Sequence, residues 1–132
     1  MNGTLTRLAP HILSLLRIMA ALLLMQHGTT KVLGFPATPM SGVSLTSMPG
    51  MAGIIELVGG ALLLIGLFSR ATAFILSGMT AVAYFLVHAP KDFYPLVNGG
   101  ELAALYCFVF FYLVFAGPGP WSVDALRGAE RR

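Results

Sequence analysis

The sequence predicts an all-α membrane protein, a bundle of four transmembrane helices with a polar internal cavity in its outward half. Hydrophobic residues make up 57% of the 132 positions and charged residues only 10%, with a mean hydropathy of +0.83. A soluble domain carries about a quarter charged residues, so the expected solvent is the bilayer. The apolar residues gather into four segments of helix length. Six ionisable side chains (Arg17, His27, Lys31, Glu56, His88 and Glu101) lie in or at the edges of those segments. A charge at that depth costs about 2.5–3.5 kcal/mol or more unless it is paired or faces water, which makes each a functional candidate.

The spans are expected at about 12–31, 51–68, 71–87 and 99–115, followed by a tail at 117–132, the whole forming one membrane domain of 1–132. The first carries Arg17 in its middle, lacks a small-residue cleavage site after it and runs into Gly34-Phe35-Pro36, so it reads as a retained span. The last three sit near the short end of the ~17–25 residues that cross ~30 Å of hydrocarbon. A backbone without water must satisfy its own hydrogen bonds, so each span is a helix. Nothing alternates with period two over ten-residue units, which excludes a β-barrel pattern. Pro36, Pro39 and Pro49 mark a long connection at 34–50, and a loop of such length often serves as a lid or binding element. Ser69-Arg70 is a tight hairpin. Pro90 and Pro95 bracket an interfacial turn, and Gly117-Pro118-Gly119-Pro120 stops the last span before Trp121 and a short helix capped at Ser122.

Even spans put both termini on one side. That side holds Arg7, Arg70, Arg127, Arg131 and Arg132, the other Lys31 and Lys91, so the termini are expected in the cytoplasm. His27 and Lys31, Glu56, His88, and Asn98 with Glu101 then converge in the outer half of the membrane. At 100° per residue each helix shows one polar stripe: Arg17, Ala21, Leu24, Gly28 and Lys31; Gly53, Glu56, Gly59 and Gly60; Ser77, Thr80, Tyr84 and His88; Asn98, Glu101, Leu105, Phe108 and Tyr112. Each residue also has a plainer reading. Glu56 and Glu101 serve as counter-charges to Lys31 and Arg17, Lys31 snorkels, the glycines pack, and the tyrosines are core aromatics.

Composition also excludes classes of function. The net charge of +3 sits at the chain's two ends, without the clustered basic surface of a nucleic-acid protein. Cys107 is the single cysteine, so there is no CxxC for thiol chemistry, and three histidines without HExxH spacing make no metal motif. No haem, flavin or iron–sulfur ligation is recognisable.

Leu15-Leu16-Arg17, His27-Gly28 and Lys31-Val32-Leu33-Gly34 resemble the first-helix pattern of the DoxX family of small bacterial membrane proteins. Gly53-Ile54-Ile55-Glu56-Leu57-Val58-Gly59-Gly60 and Gly66-Leu67-Phe68-Ser69-Arg70 are similar to its second helix. Gly100-Glu101 and Gly117-Pro118-Gly119-Pro120-Trp121-Ser122-Val123-Asp124 resemble its last helix and closing turn. The resemblance spans about 15–126 and implies a four-helix inner-membrane protein tied to quinone-linked oxidoreduction, one member group being a subunit of a thiosulfate:quinone oxidoreductase or terminal quinol oxidase complex. The family in turn resembles the four-helix core of vitamin K epoxide reductase-like proteins, whose chemistry uses a cysteine pair that this chain lacks.

The leading expectation is a membrane subunit of a quinone-linked oxidoreductase, binding quinone or quinol between the helices. Glu56, His27 and Glu101 would relay protons, while Arg17, Lys31, His88, Asn98 and Tyr84 would bind the ligand, with no metal. Its partners are the lipid bilayer and a redox protein or subunit that takes the electrons; a homo-oligomer is compatible with the sequence. A small-solute or anion carrier using Arg17 and Lys31, and a non-catalytic assembly subunit, are the alternatives. In a Cys107→Ser background, expected to keep fold and activity, Ser44→Cys should label from outside and Ala129→Cys from inside. The reverse labelling pattern would overturn the assigned orientation.

Overall fold

A computed structural model describes residues 2–128; Met1 and 129–132, with Ala129, Arg131 and Arg132, lie outside the described residues. Within them the chain is helix and turn, without a strand: α1 (Asn2–Leu33), α2 (Met48–Ile65), α3 (Ser69–Ala83) continuing into a π turn at Tyr84–His88, α4 (Pro95–Asn98), α5 (Glu101–Ala116) and α6 (Val123–Leu126). Three helices, α1, α2 and Ser69–His88, are long and apolar enough to cross a membrane, whereas α5 is apolar but shorter. At 1.5 Å per residue α1 runs about 48 Å and α5 about 24 Å. The first helix thus begins ten residues before the expected span. Residues 2–10 are exposed, so their helicity leaves no hydropathy signal.

Local chemistry fixes the helix ends. Ser47 caps α2, accepting from the Gly50 amide at 3.2 Å, with Pro49 in the first turn; Gly66, at φ +71°, closes the helix in a left-handed conformation. In the loop between α1 and α2, buried Thr30 has its hydroxyl 2.6 Å from the Pro36 carbonyl, 2.7 Å from Thr38 Oγ1 and 3.1 Å from Ser41 Oγ. That loop is thereby pinned to the end of α1.

The closest packing is α1 on α2 and α3 on α5; α2 on α3 joins the pairs, and α1 meets α5 sparingly. Glycine makes the first crossing possible. A Cβ on Gly28 would lie 2.7 Å from the Leu57 nitrogen and 2.8 Å from the Gly53 carbonyl oxygen, and one on Gly53 would lie 2.8 Å from Lys31 Cβ. The core is Ala20, Ala21, Leu24, Leu63, Ala73, Leu76, Tyr106, Phe110 and Leu113.

The last helix differs from its expected phase. Leu105, Phe108 and Tyr112 point outward (Leu105 is 62% and Phe108 71% exposed), while Tyr106, Phe110 and Leu113 form the inner face. The phase was anchored on Asn98, which belongs to α4, and the break at Gly99-Gly100 rotates α5 relative to it. The third helix also departs from regular phase, because the Ala89 amide donates to the Tyr84 carbonyl, five residues back, at 2.8 Å.

The segment after α5 folds back onto the far end of the bundle. Arg17, fully buried, donates Nη1 to the Pro118 carbonyl and Nη2 to those of Trp121 at 2.6 Å and Leu64 at 3.4 Å. Asp124 accepts from the amides of Phe68 at 2.9 Å and Ser69 at 2.8 Å, capping α3 from a distance, and Arg70 donates to the carbonyls of Val114 and Phe115 at 2.8 and 2.6 Å. Burial pushes the Asp124 carboxyl up, but the Ser69 and Phe68 amides and the Arg127 charge outweigh it and hold it below the ordinary carboxylate value. A depressed carboxylate contributes stability that is present above its unfolded pKa and lost as pH falls through the lower folded one. Asp124→Asn should therefore lower stability by about 1–3 kcal/mol near neutral pH. Thermal midpoints of the two proteins should converge as the pH is taken into the acid range; a gap independent of pH would refute the carboxylate's role.

Candidate functional site

At the opposite end from that clamp, a cavity of about 190 Å³ is lined by Leu24, His27 and Lys31 of α1, Glu56 of α2, Met79, Thr80, Ala83 and His88 of α3 and its π turn, and Gly99, Leu102, Ala103 and Tyr106 around α5. Helix phase brings His27 and Lys31 to one flank of α1, and the small residues at Gly28 and Gly53 set α1 and α2 close enough for Lys31 to cross. Lys31 Nζ stands 2.9 Å from Glu56 Oε1 and 3.1 Å from Oε2. Glu56 is 7% exposed. A buried carboxylate with both oxygens on one ammonium forms a locally neutral pair.

Above the pair lie groups with unused hydrogen-bonding capacity. His27 meets the Tyr106 ring edge-on with centroids 6.3 Å apart, and Tyr106 stacks on Phe110 at 5.5 Å. The Tyr106 hydroxyl is buried, its residue 6% exposed, and has no hydrogen-bond partner among the described residues. His88 places Nδ1 3.1 Å from the Asn98 carbonyl oxygen. Asn98 is itself fixed: its Nδ2 donates to Tyr84 Oη at 3.2 Å and the Asp92 carbonyl at 3.1 Å, and its Oδ1 accepts from the Gly100 amide at 2.7 Å.

Of the residues expected at the site, His27, Lys31, Glu56 and His88 share the cavity wall. Asn98 and Tyr84 stand behind it, shaping the turn that carries His88. The structure does not bring Arg17 or Glu101 to the cavity. Arg17 is consumed by carbonyls at the other end, and Glu101 is exposed at the start of α5, where a carboxylate suits the helix dipole. Tyr106 was missed because the assumed α5 phase turned it away, and α5 beyond Glu101 is apolar all round, so the segment carries no signal of its own that turns Tyr106 inward. Among the described residues, no three His, Cys, Asp or Glu side chains gather as metal ligands. A larger hollow of about 570 Å³ lies at the clamp end, lined by Thr6, Leu13, Arg70, Tyr112 and Ala125 among others. It lacks the smaller cavity's cluster of ionisable groups, which makes the smaller one the candidate site.

Comparison with known families fits this arrangement. Residues 12–89 match the DoxX family model, an interval that holds His27, Lys31, Glu56 and His88. The chain belongs to the DoxX family. A Haemophilus influenzae protein described as uncharacterised is 44% identical over 127 residues, covering 92% of this chain and 95% of that one. No solved structure matches. The DoxX match ends before α5, so Tyr106 enters the site from outside the matched interval.

If the Lys31–Glu56 pair holds this wall together, Glu56→Gln or Lys31→Met alone strands one buried partner and should cost about 3–5 kcal/mol. The double change should recover most of that loss. Thermal melts of the three variants check it, and a double variant as unstable as the sum of the singles would rule the pairing out.

Proposed function

We propose that this DoxX-family protein is a four-span bacterial inner-membrane subunit of a quinone-linked oxidoreductase. In this reading α5 completes the bundle, both termini face the cytoplasm, and the cavity lies in the outward half. The observation that carries the reading is the Tyr106 hydroxyl, buried without a partner in a wall shared with His27, His88 and the Lys31–Glu56 pair. Three further buried polar atoms lack a partner among the described residues (His11 Nδ1, Arg17 Nε and Ser69 Oγ), but of the four only Tyr106 lies in the cavity wall, where an unsatisfied group points to a ligand that completes it.

The donor set fits a quinone head group. The cavity, at about 190 Å³, is smaller than the ~300–1,000 Å³ of sites that enclose a whole ligand, and suits a single ring whose tail stays in lipid. Tyr106 and the two histidines would hold the ring oxygens. The Lys31–Glu56 pair supplies a charge-neutral floor and the nearest carboxylate to receive a proton. Bound as the quinol, the ring would supply two electrons and two protons, the electrons leaving to a partner protein or another subunit.

The anion-carrier alternative needs free cations. Arg17 is tied to backbone carbonyls and Lys31 to Glu56, which leaves that reading with less support. Mass spectrometry of an organic extract of the protein, purified in mild detergent, tests the proposal. A prenylated ring compound should co-purify near stoichiometrically and fall several-fold in Tyr106→Phe. An extract no richer in such compounds than that of an unrelated membrane protein would sink it.

A further inference from the structure

The hydrogen bonds behind the cavity wall decide which ring nitrogen of His88 carries a proton. Its Nδ1 lies 3.1 Å from the carbonyl oxygen of Asn98. A carbonyl oxygen only accepts, so Nδ1 must donate, and the neutral imidazole is left with Nε2 as an acceptor. The carbonyl cannot easily swing away, because Asn98 is buried and its side chain is held by Tyr84, Asp92 and Gly100. Nε2 has no partner among the described residues.

Tyr106 is the complement. Its hydroxyl is a buried donor without a partner in the same wall. Glu56 is bound by Lys31 through both oxygens and accepts nothing from Tyr106. A ligand oxygen that both accepts from Tyr106 and donates to His88 must be a hydroxyl. A carbonyl oxygen could satisfy Tyr106 only, and its lone pairs would face the lone pair of Nε2.

We infer that the cavity recognises its ligand through a hydroxyl, accepting from Tyr106 and donating to His88 Nε2, so that a phenolic, reduced ring is held in preference to its carbonyl form. This rests on the ring-binding reading of the same cavity and adds to it a selection between redox states. His88 becomes the discriminating residue and Tyr106 the donor common to either form, with Asn98 positioning His88 through its backbone carbonyl.

The test uses the full chain in detergent, with ligand-detected NMR titrations of 4-methoxyphenol, its methyl ether 1,4-dimethoxybenzene, and tetramethyl-1,4-benzoquinone. The phenol should bind about tenfold more tightly than the ether or the quinone. Tyr106→Phe should weaken phenol, ether and quinone alike by about fivefold, because each offers an oxygen that accepts from the hydroxyl, and should leave the preference standing. His88→Asn retains an amide donor near the Nδ1 position for the Asn98 carbonyl and removes Nε2, so it should lose the preference with a near-normal thermal midpoint. His88→Gln restores an acceptor at the Nε2 position and should regain part of it. Equal binding of phenol and ether to the unaltered protein overturns the hydroxyl selection and leaves the ring site standing. Failure of all three probes to bind saturably removes the ring site as well.

Discussion

The rest of the structure depends on how closely α1 and α2 approach. Gly28 sits against the backbone of Gly53 and Leu57, and Gly53 sits under the stem of Lys31. Without the hydrophobic effect to drive helices together in lipid, such contact comes from packing, and small residues allow it. A methyl group at either glycine would push the helices apart by an ångström-scale distance. The Lys31 ammonium would then no longer sit within about 3 Å of both Glu56 oxygens, as charge-assisted bonds require. Two unremarkable residues thus determine whether a buried acid and base neutralise each other.

Much of this was legible in the sequence, and the parts that were not share a physical cause. Apolar run length gave the helices, because hydropathy reports burial in lipid directly. The Glu56 face was readable from Gly53, Gly59 and Gly60, since a regular helix preserves phase. Phase failed across the break at Gly99-Gly100, which rotates α5 relative to Asn98; that displaced Glu101 from the site and concealed Tyr106. Arg17 was placed among the ligands because a buried guanidinium looks like a functional charge. Its partners are carbonyls of Leu64, Pro118 and Trp121, and backbone carbonyls leave no trace in a residue string.

The two ends of the molecule divide their labour. At one, arginines and Asp124 are tied to backbone groups: Arg17 and Arg70 to carbonyls, Asp124 to the amides of Phe68 and Ser69. Those bonds satisfy helix ends and carbonyls that lipid would otherwise leave unpaired, while His11 Nδ1, Arg17 Nε and Ser69 Oγ are buried there without a partner among the described residues. At the other, side chains face one another across a cavity, and one hydroxyl and several ring nitrogens keep spare capacity. Rigid anchoring at one end leaves the other free to present a precise set of donors and acceptors.

The Arg17 clamp also has a meaning in time. Arg17 and its Pro118 partner are 101 positions apart, and at the ~5–20 residues per second of synthesis the carbonyls emerge on the order of ten seconds after the guanidinium. Until then the first helix carries an uncompensated cation, at a cost of about 2.5–3.5 kcal/mol on insertion scales, which its leucines can offset. The first helix therefore gains its partners only when the segment after α5 docks against it. The first helix made is the last to be completed, and a nascent chain halted short of Pro118 still carries that unshielded charge.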